Sequence, residues 1–150
     1  MGDCELSLTD EQATEALAQC LAAACIAGDV VLLSGPLGAG KSCFARAFIR
    51  ARAGDPALEV PSPTFTLVQT YPTEPPIIHA DLWRVGDASE LVELGLEFSA
   101  QAIALVEWPD RLGEQTPDQA LWVWLDWAGA AGRSARLRGP DRLLDRVRGR

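Results

Sequence analysis

Gly35-Pro36-Leu37-Gly38-Ala39-Gly40-Lys41-Ser42 is the stretch of this 150-residue chain that decides its fold. It agrees with the phosphate-binding loop (P-loop) pattern G-x-x-x-x-G-K-[ST] at every fixed position. The glycines let the backbone curl until several N–H groups converge on phosphate oxygens. Lys41, the only lysine in the chain, is then expected to contact the outer phosphates, and the Ser42 hydroxyl to bind Mg²⁺.

The segments on either side of this loop have the character that the pattern requires. Residues 30–33, Val-Val-Leu-Leu, predict a short buried strand. Residues 41–50 carry apolar side chains at helical spacing and end near Gly54, which indicates a helix. The order strand, loop, helix places the positive end of the helix dipole at the phosphate site. We expect Lys41 itself to be exposed on the loop, so that its replacement leaves the core intact.

Local patterns elsewhere predict the remaining elements. A first helix is predicted to begin at a capping box, with Thr9 as N-cap and Gln12 reaching back, and to run to about Gly28. Together the elements predict an α/β fold, a P-loop NTPase-like three-layer domain with a mixed β-sheet, in which residues 1–150 form one domain. The other predicted elements are a hairpin over 60–70 and 77–83, a helix opening at Asp87-Ala88-Ser89-Glu90 and continuing through Leu91, Leu94 and Leu96, a buried strand over 103–106, a hairpin over 121–125 and 134–137, and a short helix capped by Asp141.

Composition and charge argue against several classes of protein. The net charge of −8 makes an extended nucleic-acid groove hard to build. The four cysteines do not form a C-x-x-C pair and His79 is the only histidine, so a structural zinc site is not expected. Without a leader-like start or an apolar run near the ~20 residues of a membrane span, we expect a cytoplasmic protein without membrane contact. The arginine-rich residues 133–150 are interpreted as a solvated helix face or as a surface for RNA or an acidic partner.

Phosphate chemistry also requires acidic groups at the ends of neighbouring strands. Glu107 follows the apolar run 103–106, and Asp81 ends the run that begins at Ile77. Ligands of open α/β sheets gather at the carboxyl ends of strands, so both acids are expected to face the loop. Glu107 is the first candidate for Mg²⁺, and Asp81 for positioning water or for a switch. The alternative for either is a carboxylate in solvent.

Two further groups of residues have open interpretations. Ser62 and Thr64 lie between prolines after the P-loop helix, where a segment that senses the γ-phosphate belongs, but such a loop can also merely turn the chain. Trp83 and Trp108 adjoin the two candidate acids and are interpreted as core or as a partner surface, of which we expect the core.

The sequence narrows the nucleotide chemistry as well. A Ras-type GTPase reads guanine with Asn-Lys-x-Asp, which a chain whose single lysine is Lys41 does not contain. A small-molecule kinase usually carries an arginine-bearing lid, and between Arg84 and Arg133 there is only Arg111. A kinase nevertheless remains an open alternative.

The motifs, with their order and spacing, closely resemble the TsaE (YjeE) family. This similarity covers nearly the whole chain, from Asp10 to Arg133, and is far more specific than the P-loop alone. The motifs in chain order are the P-loop, Ser62-Pro63-Thr64-Phe65-Thr66-Leu67-Val68, His79-Ala80-Asp81-Leu82-Trp83-Arg84, Glu90-Leu91 with Leu94-Gly95, and Val106-Glu107-Trp108-Pro109.

The resemblance implies an ATPase required for threonylcarbamoyladenosine modification of tRNA next to the anticodon. It implies work with a TsaB–TsaD heterodimer, contact with tRNA only through that complex, and ATP with Mg²⁺ as cofactors. Carried over by motif position, the implied roles are phosphate contact by Lys41 and the other residues of the P-loop, Mg²⁺ binding by Ser42 and Glu107, membership of the catalytic or switch set for Thr64 and Asp81, and contact with the base side of the nucleotide by Asp10 and Arg133.

The chain departs from the family pattern at a few positions. Pro36 stands where the family usually has an acid, Ser42 where it usually has threonine, and Ala80 and Trp83 where it usually has an aromatic pair. Serine keeps the hydroxyl that Mg²⁺ needs, whereas Pro36 removes one N–H from the loop. Besides the ATPase, a stand-alone small-molecule or nucleoside kinase and a nucleotide-dependent scaffold remain alternatives.

Overall fold

The protein is described by a computed structural model that covers residues 1–63, 67–86, 88–93, 98–130 and 132–149. No helix in these ranges is long and apolar enough to cross a lipid bilayer. The elements in chain order are β1 (Gly2–Leu8), α1 (Glu11–Ala24), β2 (Val30–Ser34), α2 (Lys41–Ala53), β3 (Val68–Tyr71), β4 (Ile77–Asp81), α3 (Ala88–Glu93), β5 (Ile103–Glu107), a 3₁₀ segment (Pro109–Gln115), β6 (Leu121–Ala128), β7 (Gly132–Gly139) and α4 (Asp141–Arg148).

The seven strands form one mixed sheet in the order β1-β7-β6-β2-β5-β4-β3. The centre is parallel, because β2 pairs with both β5 and β6, and β5 pairs with β4 in the same direction. Antiparallel hairpins, β3–β4 on one side and β6–β7 on the other, extend this centre, and β1 closes the second side against β7. The mixed sheet and both hairpins that the sequence predicted are therefore confirmed, although the first strand of the β3–β4 hairpin begins only at Val68.

Apolar side chains on both faces of β2 show how the layers pack. Val31 and Leu33 join one core cluster, while Val30 and Leu32 join the other, as the alternation of a strand buried on both sides requires. The first cluster contains Leu17 of α1 and residues of α2 and α4, and the second contains residues of α3 and the 3₁₀ segment. The predicted three-layer architecture is thus confirmed. That residues 1–150 form one domain stays a prediction.

Three local predictions differ from the structure. The N-cap of α1 is Asp10, whose Oδ1 accepts a hydrogen bond from the Ala13 amide at 2.8 Å, and not Thr9. Helix α1 ends at Ala24 because the next residue, Cys25, is already extended, so the helix does not reach Gly28. Asp141 is the first residue of α4 and makes no cap hydrogen bond; Pro140 occupies the N-cap.

Strand β1 and the 3₁₀ segment were not predicted. In β1, Cys4 and Leu6 point toward the core between exposed Asp3 and Glu5, and the strand is formed because it pairs with β7 more than a hundred residues later. A period-2 pattern this short and this polar is a weak signal by itself. Of the predicted third helix, residues 88–93 are helical, while Asp87, Leu94, Gly95 and Leu96 lie outside the described residues.

Asp29 and Arg142 join α4 to the start of β2. The guanidinium of Arg142 donates to both carboxylate oxygens of Asp29, which is 9% exposed and also accepts from the Ile26 amide at 2.8 Å. Hydrogen bonding to this carboxylate raises the pKa of Arg142 above its ordinary value. The pair therefore fixes the C-terminal helix against the central sheet.

We expect Arg142→Met to lower the free energy of unfolding by about 1–3 kcal/mol, because the largely buried carboxylate of Asp29 loses its charged partner. The effect is limited because the Arg142 side chain is about half exposed, so that water screens the ion pair. Denaturant unfolding measures the change. Arg146→Met on the same helix, at an exposed position, is the control and should be nearly neutral. Equal effects of the two changes would show that the Asp29 contact is not what stabilises α4.

Candidate functional site

The P-loop lies between the end of β2 at Ser34 and the start of α2 at Lys41. Gly35, Gly38 and Gly40 all have positive φ, at 143°, 78° and 108°, and Gly40 is the N-cap of α2. A Cβ on Gly35 would collide with the Leu125 carbonyl oxygen of β6. Glycine is thus required here both by backbone conformation and by the close approach of a neighbouring strand.

Lys41 is buried, with only 6% of its surface exposed, which corrects the expectation that it is exposed on the loop. Its ammonium donates to the Gly35 carbonyl, lies 3.5 Å from the Pro36 carbonyl oxygen, and sits 3.7 Å above the centre of the Trp108 ring. Burial lowers the pKa of Lys41, and the carboxylates of Glu107 and Asp81 oppose that shift. The positive charge of Lys41 is therefore stabilised by nearby carbonyls, an aromatic face and two carboxylates, which replace the hydration it loses on burial.

Asp81 and Glu107 stand opposite each other at the carboxyl ends of β4 and β5. They are 5% and 4% exposed, so neither is the carboxylate in solvent that the alternative interpretation required. Both line a cleft of about 250 Å³ together with the P-loop, as the sequence predicted. The lining residues are Leu37, Gly38, Gly40, Lys41, Ser42, Cys43, Ser62, Asp81, Glu107 and Trp108.

The other predicted P-loop residues have different exposures. Pro36, Leu37 and Gly38 are exposed at the tip, and Ala39 is fully buried and donates its amide to the Pro36 carbonyl at 3.2 Å. Ser42 is exposed on the first turn of α2, where helix amides have no intrahelical acceptor. Ser62 reaches the cleft, whereas Thr64 lies outside the described residues.

His79 is a buried polar residue of this region that the sequence analysis did not assign. It is 2% exposed, and its Nε2 atom lies 2.8 Å from Oε2 of Glu107. One signal could have found it, since His79 is two residues before Asp81 on the same strand and therefore on the same face of the sheet.

The two tryptophans beside the acids form a pair, with ring centres 4.4 Å apart. Trp83 is 45% exposed, so the expectation that it belongs to the core is wrong; Trp108 is half-buried and packs against the second core cluster. Asp81 fixes the turn to Trp83 by accepting its amide at 2.9 Å. Trp108 has a left-handed backbone with φ of 56°, which costs about 1–2 kcal/mol for a non-glycine residue.

A second cleft, of about 370 Å³, also borders the P-loop. Arg133 lines it, donates to the Gly38 carbonyl at 3.2 Å and stacks 4.0 Å from the Trp127 ring centre. Arg133 is thus brought to the P-loop. Asp10 is not among the residues that line this cleft, and its carboxylate is engaged as the N-cap of α1. The other lining residues are Glu11, Thr14, Gly38, Gly40 and Cys43.

A parallel sheet centre with a P-loop between β2 and α2, and two buried acids on neighbouring strand ends, defines a protein of the P-loop NTPase-like class. The family model described as Threonylcarbamoyl adenosine biosynthesis protein TsaE matches residues 8–135. The chain belongs to the TsaE family, as its motifs indicated.

Similar proteins agree with this assignment. The tRNA threonylcarbamoyladenosine biosynthesis protein TsaE of Bacillus subtilis (strain 168) is 38% identical over 117 residues, covering 77% of this chain and 73% of that protein. The protein of the same name from Rickettsia felis is 41% identical over 107 residues, covering 70% of this chain and 62% of that protein. The crystal structure of Bacillus subtilis YdiB superposes with a TM-score of 0.78 at 27% identity, covering 99% of this chain and 93% of that one.

Proposed function

We propose that this chain is a Mg²⁺-dependent ATPase in the threonylcarbamoyladenosine modification of tRNA. It would hydrolyse ATP together with a TsaB–TsaD heterodimer and so reset the modifying complex. The observation that carries this proposal is the cleft in which a P-loop lysine and two buried carboxylates meet. A loop that only turned the chain would have no use for two acids and an ammonium held out of water, since burying such charges is costly.

Phosphate binding would be the task of the loop backbone and Lys41. The first residues of α2 line the cleft, so the helix N-terminus lies beside it, where an anion is stabilised by the helix dipole. Lys41 donates to loop carbonyls, and phosphate oxygens would replace them as stronger, charged acceptors. Arg133 and Asp10 stay our candidates for the base side of the nucleotide, and Arg133 has the stronger case because it already contacts the loop.

The residues of the cleft fit a magnesium ion by their chemistry. Ser42 and Glu107 offer a hydroxyl and a carboxylate oxygen, which are the hard ligands that Mg²⁺ prefers, and phosphate oxygens with water complete such sites. When bound, the ion would neutralise charge on the phosphates. Asp81 would orient the attacking water, and Thr64 remains a predicted member of the switch segment.

Contact with a protein partner is supported by an apolar rim around the P-loop. Leu37, Trp83 and Trp127 are 71%, 45% and 49% exposed, and each lies at the P-loop or beside an acid. Within the described residues, these are three of the five large apolar side chains that are exposed to this degree. A partner seated on this rim would exclude water from the cleft and strengthen the electrostatic interactions inside it.

We expect the isolated chain to hydrolyse ATP slowly and TsaB–TsaD to change its rate or nucleotide affinity. The measurement is an ATPase assay with and without the heterodimer, beside a screen of small phosphoryl acceptors. Rapid transfer to one hydroxyl acceptor, with no response to TsaB–TsaD, would favour the kinase. A nucleotide-dependent response of the partner with a hydrolysis-deficient variant would favour the scaffold.

A further inference from the structure

The side chain of His79 is placed in the core of the sheet, and nothing in the proposed chemistry uses it. It lies in the middle of β4 and shares the α2-facing side of the sheet with Ile77 and Asp81. Its one hydrogen-bond partner among the described residues is Glu107, at 2.8 Å from Nε2 to Oε2. An imidazole is an unusual filler for this position, because an apolar side chain would avoid the burial of a polar ring.

The hydrogen bonding of the ring determines its tautomer. Within the part of the chain that the structure describes, Nδ1 of His79 has no hydrogen-bond partner. A carboxylate oxygen accepts, so the proton belongs on Nε2 and the orphaned Nδ1 is the acceptor nitrogen. The opposite tautomer would leave a buried Nδ1–H without an acceptor among the described residues and would turn a bare ring nitrogen toward the carboxylate. His79 is therefore a donor directed at one oxygen of Glu107.

This contact restricts what Glu107 can do. A glutamate side chain has several freely rotating bonds and loses considerable entropy when it is fixed. His79 holds Oε2 inside the sheet, so Oε1 is the carboxylate oxygen left for the cleft that Lys41 and Ser42 also line. Carboxylates that bind metals are commonly fixed in this way by a hydrogen-bond donor behind them.

We propose that His79 is a positioning residue which, by donating from Nε2 to Oε2 of Glu107, holds Oε1 of that carboxylate toward the Mg²⁺–nucleotide site. The inference rests on the proposed function, in which Glu107 is the Mg²⁺-side carboxylate. It adds a residue behind the cleft that makes no contact with the nucleotide.

The test compares three variants of the full chain. In His79→Gln the amide nitrogen is as many bonds from Cα as Nε2 of histidine, so the donor is kept. In His79→Asn the amide nitrogen corresponds to Nδ1 and falls short of Glu107, and in His79→Met the donor is absent. The readouts are ATP affinity by calorimetry across a Mg²⁺ titration, the ATP hydrolysis rate, and the thermal unfolding midpoint.

We expect His79→Asn and His79→Met to raise the Mg²⁺ concentration for half-maximal tightening of ATP binding by about 10–100-fold, the usual effect of losing such a partner. His79→Gln should stay near wild type, and ATP affinity without Mg²⁺ should be unchanged in all three. A purely structural role would lower the unfolding midpoint without this shift.

Each other outcome has a defined meaning. If His79→Met does not fold, the comparison of His79→Gln with His79→Asn still tests the proposal, because both variants place a polar amide at this position. Equal Mg²⁺ requirements for Gln and Asn variants overturn the role of His79 and leave the ATPase proposal standing. Wild-type ATP binding that ignores Mg²⁺ would instead refute the metal assignment of the proposed function, and this inference with it.

Discussion

Lys41→Met is expected to abolish measurable ATP turnover, with a loss of at least about 100-fold. A fixed positive charge beside the negative charge that develops on the phosphates stabilises the transition state by roughly 3–4 kcal/mol. The fold should survive. Lys41 is 6% exposed, and methionine fills a similar volume against the Trp108 ring without a buried ammonium to compensate. ATPase rates, ATP affinity and the thermal unfolding midpoint measure the three effects.

The same lysine provides a second measurement. An amine-acylating reagent should modify Lys41 and the α-amino group alone, and Mg-ATP should protect Lys41, because phosphates favour the ammonium form and raise its pKa from the level lowered by burial. The α-amino group in the same molecule is the control. Normal turnover in Lys41→Met would place this residue outside the nucleotide site, as would measurable labelling of Lys41 that is equal with and without ATP.

The second large effect is expected on replacing the two acids, Glu107 and Asp81, whose variants should lose different steps of ATP binding and hydrolysis. Glu107→Gln retains an oxygen that can accept from His79 Nε2 but loses the charge, so Mg²⁺-dependent tightening of ATP binding should be lost. Asp81→Asn can still accept the Trp83 amide, so the turn and ATP binding should be kept. The rate of hydrolysis in Asp81→Asn should nevertheless fall by about 10²–10⁴-fold, which is the rate enhancement that a general base or water-orienting group usually contributes.

Calorimetry with and without Mg²⁺, and single-turnover hydrolysis, separate these effects. Glu114→Gln and Asp118→Asn make the same chemical changes at exposed positions and should leave both readouts unchanged. The division of roles fails if Glu107→Gln and Asp81→Asn lose ATP binding equally, or if Asp81→Asn hydrolyses ATP at the wild-type rate.

The sequence by itself determined the class of fold and the position of the site. Gly35, Gly38 and Gly40 all adopt positive φ, a local backbone preference of glycine, so strand, loop and helix could be predicted from neighbouring residues. Asp81 and Glu107 were found because parallel strands bring their carboxyl ends to one edge. The roles of these residues, of Thr64, and of Asp10 and Arg133 stay predictions.

Only the tertiary structure decided which side chains meet. Strand β1 exists because β7 pairs with it, and no local pattern encodes a partner so distant in the chain. The bond from His79 to Glu107 depends on the register between β4 and β5, and the burial of Lys41 depends on Trp108 lying over its ammonium. Residues near each other in sequence fix backbone conformation, whereas register and packing between distant strands fix burial, charge environment and side-chain contacts.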